Sequence, residues 1–559
     1  MLNNFEAAAA SGVLPPRFKT LGAVLQSPAK GFFVACHMAT ANIFEPAVGA
    51  DLAVSVDSTA AALRRHWALL LALALVAMWV FVPAGVNPGQ WGDNFEQYVW
   101  AHSLEWGYHK HPPLPTWLLG GLIALFGPSP YWAYTLAAAC TAGTAYFTYR
   151  IAGRLLPGSL VGLAMLAWGL QQAFSMRAQV YNHNTVMMLA TAAAAWCVLQ
   201  AVQTRAVRWW ALAGLAAAAG VLSKYQAVVP LGGLVLGLLL TGELARRDVQ
   251  RGLLLAVGVA LLGFAPHLAW MVNHDFATLR YAGQGGHVVP WSERGLSVLS
   301  FLAQQIRLLF PALLFAGLLW LLPGLRARPA RAGMAAVASL RAADLDLAEG
   351  PEQQRWRRAW FVALIGFPLV ITLLTCPAFG LKLQNHWGFQ CLQFVSLWGV
   401  WRLRGLTRRP AAFVATVAVA VQLVAMTWWL VAQAADQGES GRRLDPAYPA
   451  RALAAAVERD WTRMTACPLK LVVGPQFEAG MISTYLAKPP RVLEGGDYRK
   501  SPWVRADQLS TQGAVYVATD PADLPEHGVM IDSMAVSGRT GAGRIYWSVV
   551  PPAHCLDQP

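Results

Sequence analysis

The sequence predicts a polytopic α-helical membrane protein with a C-terminal soluble α/β domain, and three observations predict it. First, hydrophobic residues make up 56% of the chain and charged residues only 13%, against about 25% charged in soluble domains; mean hydropathy is +0.41. Second, apolar runs long enough to cross a bilayer, about 17–25 residues each, recur near 66–85, 131–150, 155–175, 184–203, 208–222, 225–241, 252–273, 298–321, 359–379, 386–403 and 411–433. Third, that pattern stops after Ala435, where short strand-like and helical segments begin to alternate.

Taken in order, residues 1–60 hold only short, broken apolar runs. They read as a disordered cytoplasmic N-terminal extension rather than a signal peptide or a folded domain. Residues 61–435 form the membrane domain. The stretch 113–127 is apolar but short and follows two prolines, so a crossing, a re-entrant helix and an interfacial helix all remain open. The distribution of arginine tests the choice. With the N-terminus inside and 113–127 not crossing, Arg150, Arg154, Arg205, Arg208, Arg246, Arg247 and Arg251 fall on one side. The Arg-rich loop 325–358 and the run Arg402, Arg404, Arg408, Arg409 join them. This gives about eleven crossings, all strongly basic loops inside. Outside lie the loops 86–130, 176–183 and 274–297, the turns at 223–225 and 380–386, and everything after Ala435. The net charge of +14 is then a topology signal with some attraction to membrane lipids of negative charge. Arginines scattered over short loops exclude a nucleic-acid partner.

In the C-terminal region, 436–559, a polar flexible segment precedes a helix over 449–465 and a buried strand at Leu469–Val473. A helix over 477–487 and strands at Arg491–Glu494, Gly513–Ala518, Val529–Ser533 and Arg544–Val550 follow, which suggests a small three-layered α/β domain. Gly474-Pro475-Gln476-Phe477 reads as a turn, not a nucleotide-binding loop. Of seven cysteines, Cys467 and Cys555 lie in this outward region, where an oxidising compartment permits a disulfide between them; two free thiols are the alternative.

Polar residues gather on the outward side. Asp93 and Glu96 are three apart, so a helix would put both on one face, amid Trp91, Phe95, Tyr98, Trp100, Trp106 and Tyr108. A carboxylate pair there can supply a general base or hold a divalent cation; a solvated loop is the bland reading. His109-Lys110-His111 precede Pro112-Pro113, which fix an extended entry into the next apolar segment. Arg177, Asn182 and His183 occupy the second outward loop. Lys224 and Tyr225 break two apolar spans, and Lys382 and His386 lie in the last turn. Outward lysines run against the positive-inside trend, so a phosphate partner and simple snorkelling stand level for Lys224 and Lys382.

Asp93-x-x-Glu96, Trp106-Gly107-Tyr108 and His111-Pro112-Pro113-Leu114 together resemble the first outer loop of GT-C type integral-membrane glycosyltransferases, the family 39 enzymes and their bacterial relatives. Asn182-His183-Asn184-Thr185, Ser223-Lys224-Tyr225, His274-Asp275-Phe276-x-Thr278-Leu279-Arg280 and Leu381-Lys382-Leu383-x-Asn385-His386-Trp387 extend the resemblance over roughly residues 66–400. The group includes lipid A aminoarabinose transferases and protein O-mannosyltransferases. The resemblance implies a GT-C-like fold of about 11–13 membrane helices in a bacterial inner membrane, with the C-terminal domain periplasmic. It implies a polyprenyl-phosphate sugar donor, an envelope glycolipid, glycan or protein acceptor, inversion at the anomeric carbon, and Asp93 as base. Lys224 and Lys382 match positions that cradle the donor phosphate, with Lys110, His111, Arg177, Asn182, His183, Tyr225 and His386 as further substrate-binding candidates. Asn94 stands where the family's second acid is expected, so Glu96 is the candidate for that role. A divalent cation, with Asp93 and Glu96 as ligands, stays open, because members differ on it. The competing reading is a transporter or flippase, which would place charged groups and broken helices at the bilayer midplane. Convergence of Asp93, Lys224, Lys382 and His386 on one outward cavity separates the two.

Overall fold

The computed structural model describes residues 51–284, 288–321, 350–402, 411–435, 446–538 and 541–552. The predicted apolar runs are largely helical, but 155–175 is α-helical only over Gly158–Gly169, and 386–403 is broken into Gly388–Leu392 and Val395–Arg402. The first, α1 (Asp51–Val86), begins well before its apolar part. Residues 51–60, expected to be disordered, are therefore helical. The run from Asp51 to Val82 contains no Gly or Pro and includes Ala60–Ala62, so nothing in it opposes helix propagation; the rest of that expected extension lies outside the described residues.

Among the described residues, six helices are long and apolar enough to cross a membrane: His66–Val86 within α1, then α6 (His183–Thr204), α9 (Arg247–Asn273), α11 (Trp291–Leu321), α12 (Pro351–Phe379) and the Phe413–Gln433 part of α15 (Ala411–Ala435). Between them lie α2 (Gly92–Trp100), α3 (Leu114–Phe126), α4 (Trp132–Leu155), α5 (Gly158–Gly169), α7 (Val207–Ser223), α8 (Val228–Leu240), α10 (Ala277–Gln284), α13 (Gly388–Leu392) and α14 (Val395–Arg402). The stretch left open at 113–127 is the 13-residue helix α3, shorter than a crossing requires. Helix α6 is the hub, with 89% of its apolar window buried inside the protein against 17% for α9. Small residues allow the close packing: a Cβ on Gly214 of α7 would lie 2.4 Å from the Ala256 carbonyl oxygen of α9.

The C-terminal region forms α16 (Ala450–Met464), β1 (Leu471–Gly474), α17 (Gln476–Tyr485), β2 (Arg491–Glu494), α18 (Ala506–Gln512), β3 (Ala514–Ala518), β4 (Met530–Gly538) and β5 (Gly541–Val550). The sheet order is β2-β1-β3-β5-β4. Its first three strands are parallel, and β4 and β5 close it as an antiparallel hairpin. Cys467 is disulfide-bonded; Cys555 lies outside the described residues, so the expected pairing does too.

The sheet's apolar core is not self-contained. Phe95, Val99, Trp100 and Tyr108 of the loop after α1 join Leu453, Trp461, Val472, Ile482 and Trp547 in one buried cluster. Helix α17 lies directly on α2, and Gly480 makes the approach possible: a Cβ there would sit 2.9 Å from Val99 Cγ2 and 3.4 Å from the Phe95 carbonyl oxygen. Burial of that aromatic face is worth several kcal/mol at about 25 cal/mol per Å², enough to hold α2 in one orientation.

Candidate active site

The orientation of α2 decides what its side chains do. Asp93, half-buried, and Glu96, buried, both line a cavity of about 820 Å³, as the three-residue spacing predicts. Asn94 points the other way and is fully buried. Its Nδ2 donates to Gln90 Oε1 (3.1 Å) and the Gln179 carbonyl (3.3 Å), and its Oδ1 accepts from the Tyr181 amide (2.8 Å). It therefore ties α2 to the loop before α6, a task a carboxylate would perform poorly there. The second carboxylate lining the cavity is that of Glu96.

Asp93 is oriented by Asn182. The Asn182 side chain caps α6: its Oδ1 accepts from the amides of Asn184 (2.8 Å) and Thr185 (3.2 Å). With the oxygen so engaged, the amide orientation is fixed. Nδ2 then donates to Asp93 Oδ2 at 2.6 Å. Helix capping and carboxylate placement thus share one residue.

Glu96 Oε2 accepts from Lys110 Nζ at 2.8 Å. Burial pushes the Glu96 carboxyl up to about 7, against the opposing pull of Lys110. Lys110 also donates to Gln476 Oε1 at the start of α17. Next to it, His109 Nε2 lies 3.4 Å from Glu494 Oε1 at the end of β2. The start of α17 and the end of β2 thus both meet the loop that carries Lys110.

His111 stacks on His183, with ring centroids 3.6 Å apart. Burial holds the His111 imidazole well below its usual range, and neighbouring His183 and Lys224 add to the effect. A carboxylate oxygen of Glu96 and one nitrogen each of His111 and His183 lie within 4.8 Å of one another, and His183 Nδ1 is buried without a partner. Two neutral imidazoles and a carboxylate suit a divalent ion such as zinc. Asp93 is not in this group of three; its carboxylate accepts from Asn182.

The cations come from separate elements. Lys224, between α7 and α8, donates from Nζ to Asn184 Oδ1 (2.8 Å). Burial pushes its ammonium down to about 8, and Asp93 opposes that shift. Arg177 stacks over Trp91, 4.9 Å from the ring centroid; burial lowers its basicity, and Asp93 again opposes. Lys382 is exposed at the cavity mouth, with His386 deeper. Tyr225 lines the same cavity, but its hydroxyl is held by His267 Nε2 and Thr278 Oγ1, both at 2.7 Å. His267 Nδ1 meets the Trp106 carbonyl (2.6 Å). Tyr225 thus braces α8 against α9 and the first loop, leaving its ring face to the cavity.

Every residue expected at the site lines this one cavity: Asp93, Glu96, Lys110, His111, Arg177, Asn182, His183, Lys224, Tyr225, Lys382 and His386. The sequence missed Gln476, Phe477 and Tyr281. Phe477 and Tyr281 also line the cavity, and Gln476 reaches it through its bond to Lys110. Lys110 Nζ sits 5.8 Å from the Tyr281 ring centroid, and Phe477 belongs to the first turn of α17.

Fold and local sequence are similar to those of GT-C type integral-membrane glycosyltransferases. Residues 110–270 match the family described as dolichyl-phosphate-mannose-protein mannosyltransferase. The chain is 26% identical over 234 residues to lipid A galacturonosyltransferase RgtD of Rhizobium johnstonii, covering 41% of this chain and 48% of that protein. It is 28% identical over 233 residues to lipopolysaccharide core galacturonosyltransferase RgtA of the same organism, covering 40% of this chain and 46% of the relative. The match thus spans about half the length of these relatives. Among solved structures, ArnT from Cupriavidus metallidurans bound to undecaprenyl phosphate superposes with a TM-score of 0.51 at 17% identity, over 86% of this chain and 98% of that one.

Proposed function

We propose that this protein transfers a sugar from a polyprenyl-phosphate-linked donor to a glycolipid or glycan of the bacterial envelope, on the outer face of the inner membrane. The observation that carries the reading is the convergence of Asp93, Lys224, Lys382 and His386 on one cavity, next to the ends of the apolar spans His66–Val86 and His183–Thr204. A transporter would instead collect its charged groups near the midplane.

In the proposed reaction the Asp93 carboxylate takes the proton of an acceptor hydroxyl. The freed oxygen attacks the anomeric carbon from the face opposite the phosphate. The carbon–oxygen bond to phosphate breaks, and polyprenyl phosphate leaves with the electron pair. Lys224, Arg177 and Lys382 stabilise the charge that develops on the leaving oxygen, in a site already arranged for it. Asn182 keeps Asp93 aimed at the hydroxyl. Lys110, held by Glu96 and Gln476, supplies a further cation to the donor. A divalent ion held by Glu96, His111 and His183 would add positive charge beside the same phosphate.

A hexuronic acid is the sugar we favour. Both curated relatives described above are named galacturonosyltransferases, and the cavity is lined by Lys110, Arg177, Lys224 and Lys382 against Asp93 and Glu96. That balance suits a donor with a carboxylate as well as a phosphate. The test is reconstitution in liposomes with a polyprenyl-phosphate hexuronate and a lipid A or core acceptor. Wild type should form glycosylated product, and Asp93→Asn should slow it by about 10²–10⁴-fold, the usual worth of a general base. Equal rates in the two proteins would remove Asp93 from the chemistry, and no product from any envelope acceptor would remove the transferase reading.

A further inference from the structure

A second cavity, of about 830 Å³, lies beside the start of the apolar span of α1 and the C-terminal end of α4. His66 opens the apolar span His66–Val86, and Asp93 follows the other end of that span. At 1.5 Å per residue the 21 residues separate the two by about 30 Å, one hydrocarbon thickness. We infer that this cavity binds the phosphate headgroup of an anionic glycerophospholipid in the leaflet opposite the candidate active site.

Its polar lining is His66, Tyr146, Tyr149, Arg150 and Arg154, and among the described residues no carboxylate lines it. Both guanidiniums lie over the same buried indole: Arg150 is 4.5 Å and Arg154 5.6 Å from the Trp196 ring centroid. Their hydrogen bonds go to neutral groups, Arg150 Nη1 to Tyr146 Oη (2.6 Å) and Arg154 Nη2 to Gln200 Oε1 (3.0 Å). Among the described residues neither is in an ion pair. Arg205, at the corresponding end of α6, shows the contrast, with Glu243 at 3.0 Å and Asp248 at 3.3 Å. Each arginine carries five N–H donors, and among the described residues each spends one in the bonds above. Two adjacent cations with no counter-charge among the described residues call for an anion with several acceptor oxygens, and a phosphodiester fits that demand.

The rest of the lining selects a lipid over free phosphate. Leu69, Leu70 and Val161 continue the cavity toward the bilayer core, and Leu70 is 43% exposed. An acyl chain would cover that surface, which a soluble ion would leave open. Basic pockets between membrane helices on the positive-inside face suit such headgroups.

The test uses the full-length protein in neutral detergent, with lipid binding followed by native mass spectrometry. Phosphatidylglycerol is expected to bind about tenfold or more tightly than phosphatidylcholine. The double substitution Arg150→Gln and Arg154→Gln should weaken phosphatidylglycerol by about tenfold or more, while Arg208→Gln, outside the cavity, should leave it unchanged. A second variant guards against misfolding. Gly153 lines the cavity, and a Cβ there meets nothing within 4 Å, so Gly153→Leu fills the space, favours the helix and keeps both charges. It should weaken binding to a similar degree. Equal affinity for the two lipids, or unchanged binding in both cavity variants, would overturn the site. Displacement of phosphatidylglycerol by inorganic phosphate at equal concentration would overturn its assignment to a lipid.

Discussion

Asn182 performs two tasks that substitution can separate. Its Oδ1 caps α6 through two backbone amides, and its Nδ2 donates to Asp93. Serine also caps well but has no amide to reach Asp93, whereas alanine loses both contacts. Loss of a good cap costs about 1 kcal/mol. Loss of a hydrogen bond to a charged group is worth roughly 1.5–3 kcal/mol, or about 10- to 100-fold in rate where the bond holds the base in its reactive position. Asn182→Ser should therefore keep nearly the wild-type Tm while kcat falls at least about tenfold. Asn182→Ala should show a similar kcat and a lower Tm. Both numbers come from a reconstituted transfer assay and a thermal melt on the same preparations. Wild-type kcat in Asn182→Ser, with a lower Tm in Asn182→Ala, would show that Asn182 only caps the helix.

Lys224 supplies a pH signature. Its ammonium, pushed down to about 8 by burial, is cationic below that pH and neutral above it. Donor-limited kcat/KM should accordingly hold below about pH 8 and decline above it, and Lys224→Arg, which stays charged, should remove that decline; an alkaline limb that is the same in both proteins would assign it elsewhere. Gln476→Ala releases one of the two groups holding Lys110 and should raise donor KM by about threefold to tenfold with little change in kcat, whereas an unchanged KM would make the contact incidental. Zn²⁺ is expected to raise the Tm of the purified wild-type protein and to leave that of His111→Ala unmoved, since binding to the native state adds stability; equal shifts would place the metal elsewhere.

Six membrane helices were legible because a bilayer imposes a length and an apolar composition that each of them displays on its own, whereas other predicted crossings form shorter helices. Strand Arg491–Glu494 was legible at its ends because apolar Val492 and Leu493 stand between charged residues. The helical start of α1 at Asp51 was not, since its polar composition masks a run that still has ordinary helix propensity. At the site, residue types against the local trend were informative: Lys224 between two apolar segments and the carboxylates of α2 stood out from their surroundings. Partnerships were hidden. Nothing near Lys110 in sequence announces Gln476, 366 positions away, because that contact depends on α17 docking on α2. Asn94 looked like a lost acid until its three hydrogen bonds showed a different task. The sequence near Tyr225 does not announce that its hydroxyl bonds to His267 and Thr278. Chemical type is carried by single residues, whereas orientation is set by packing between distant ones.

The central claim is sugar transfer to the envelope with Asp93 as the base. Mass spectrometry of envelope glycolipids tests it most directly, in cells with the wild-type protein, without it, and with Asp93→Asn at matched expression. The account predicts one sugar-modified glycolipid, present with wild type and absent from both altered strains. The same glycolipid profile in all three would contradict it.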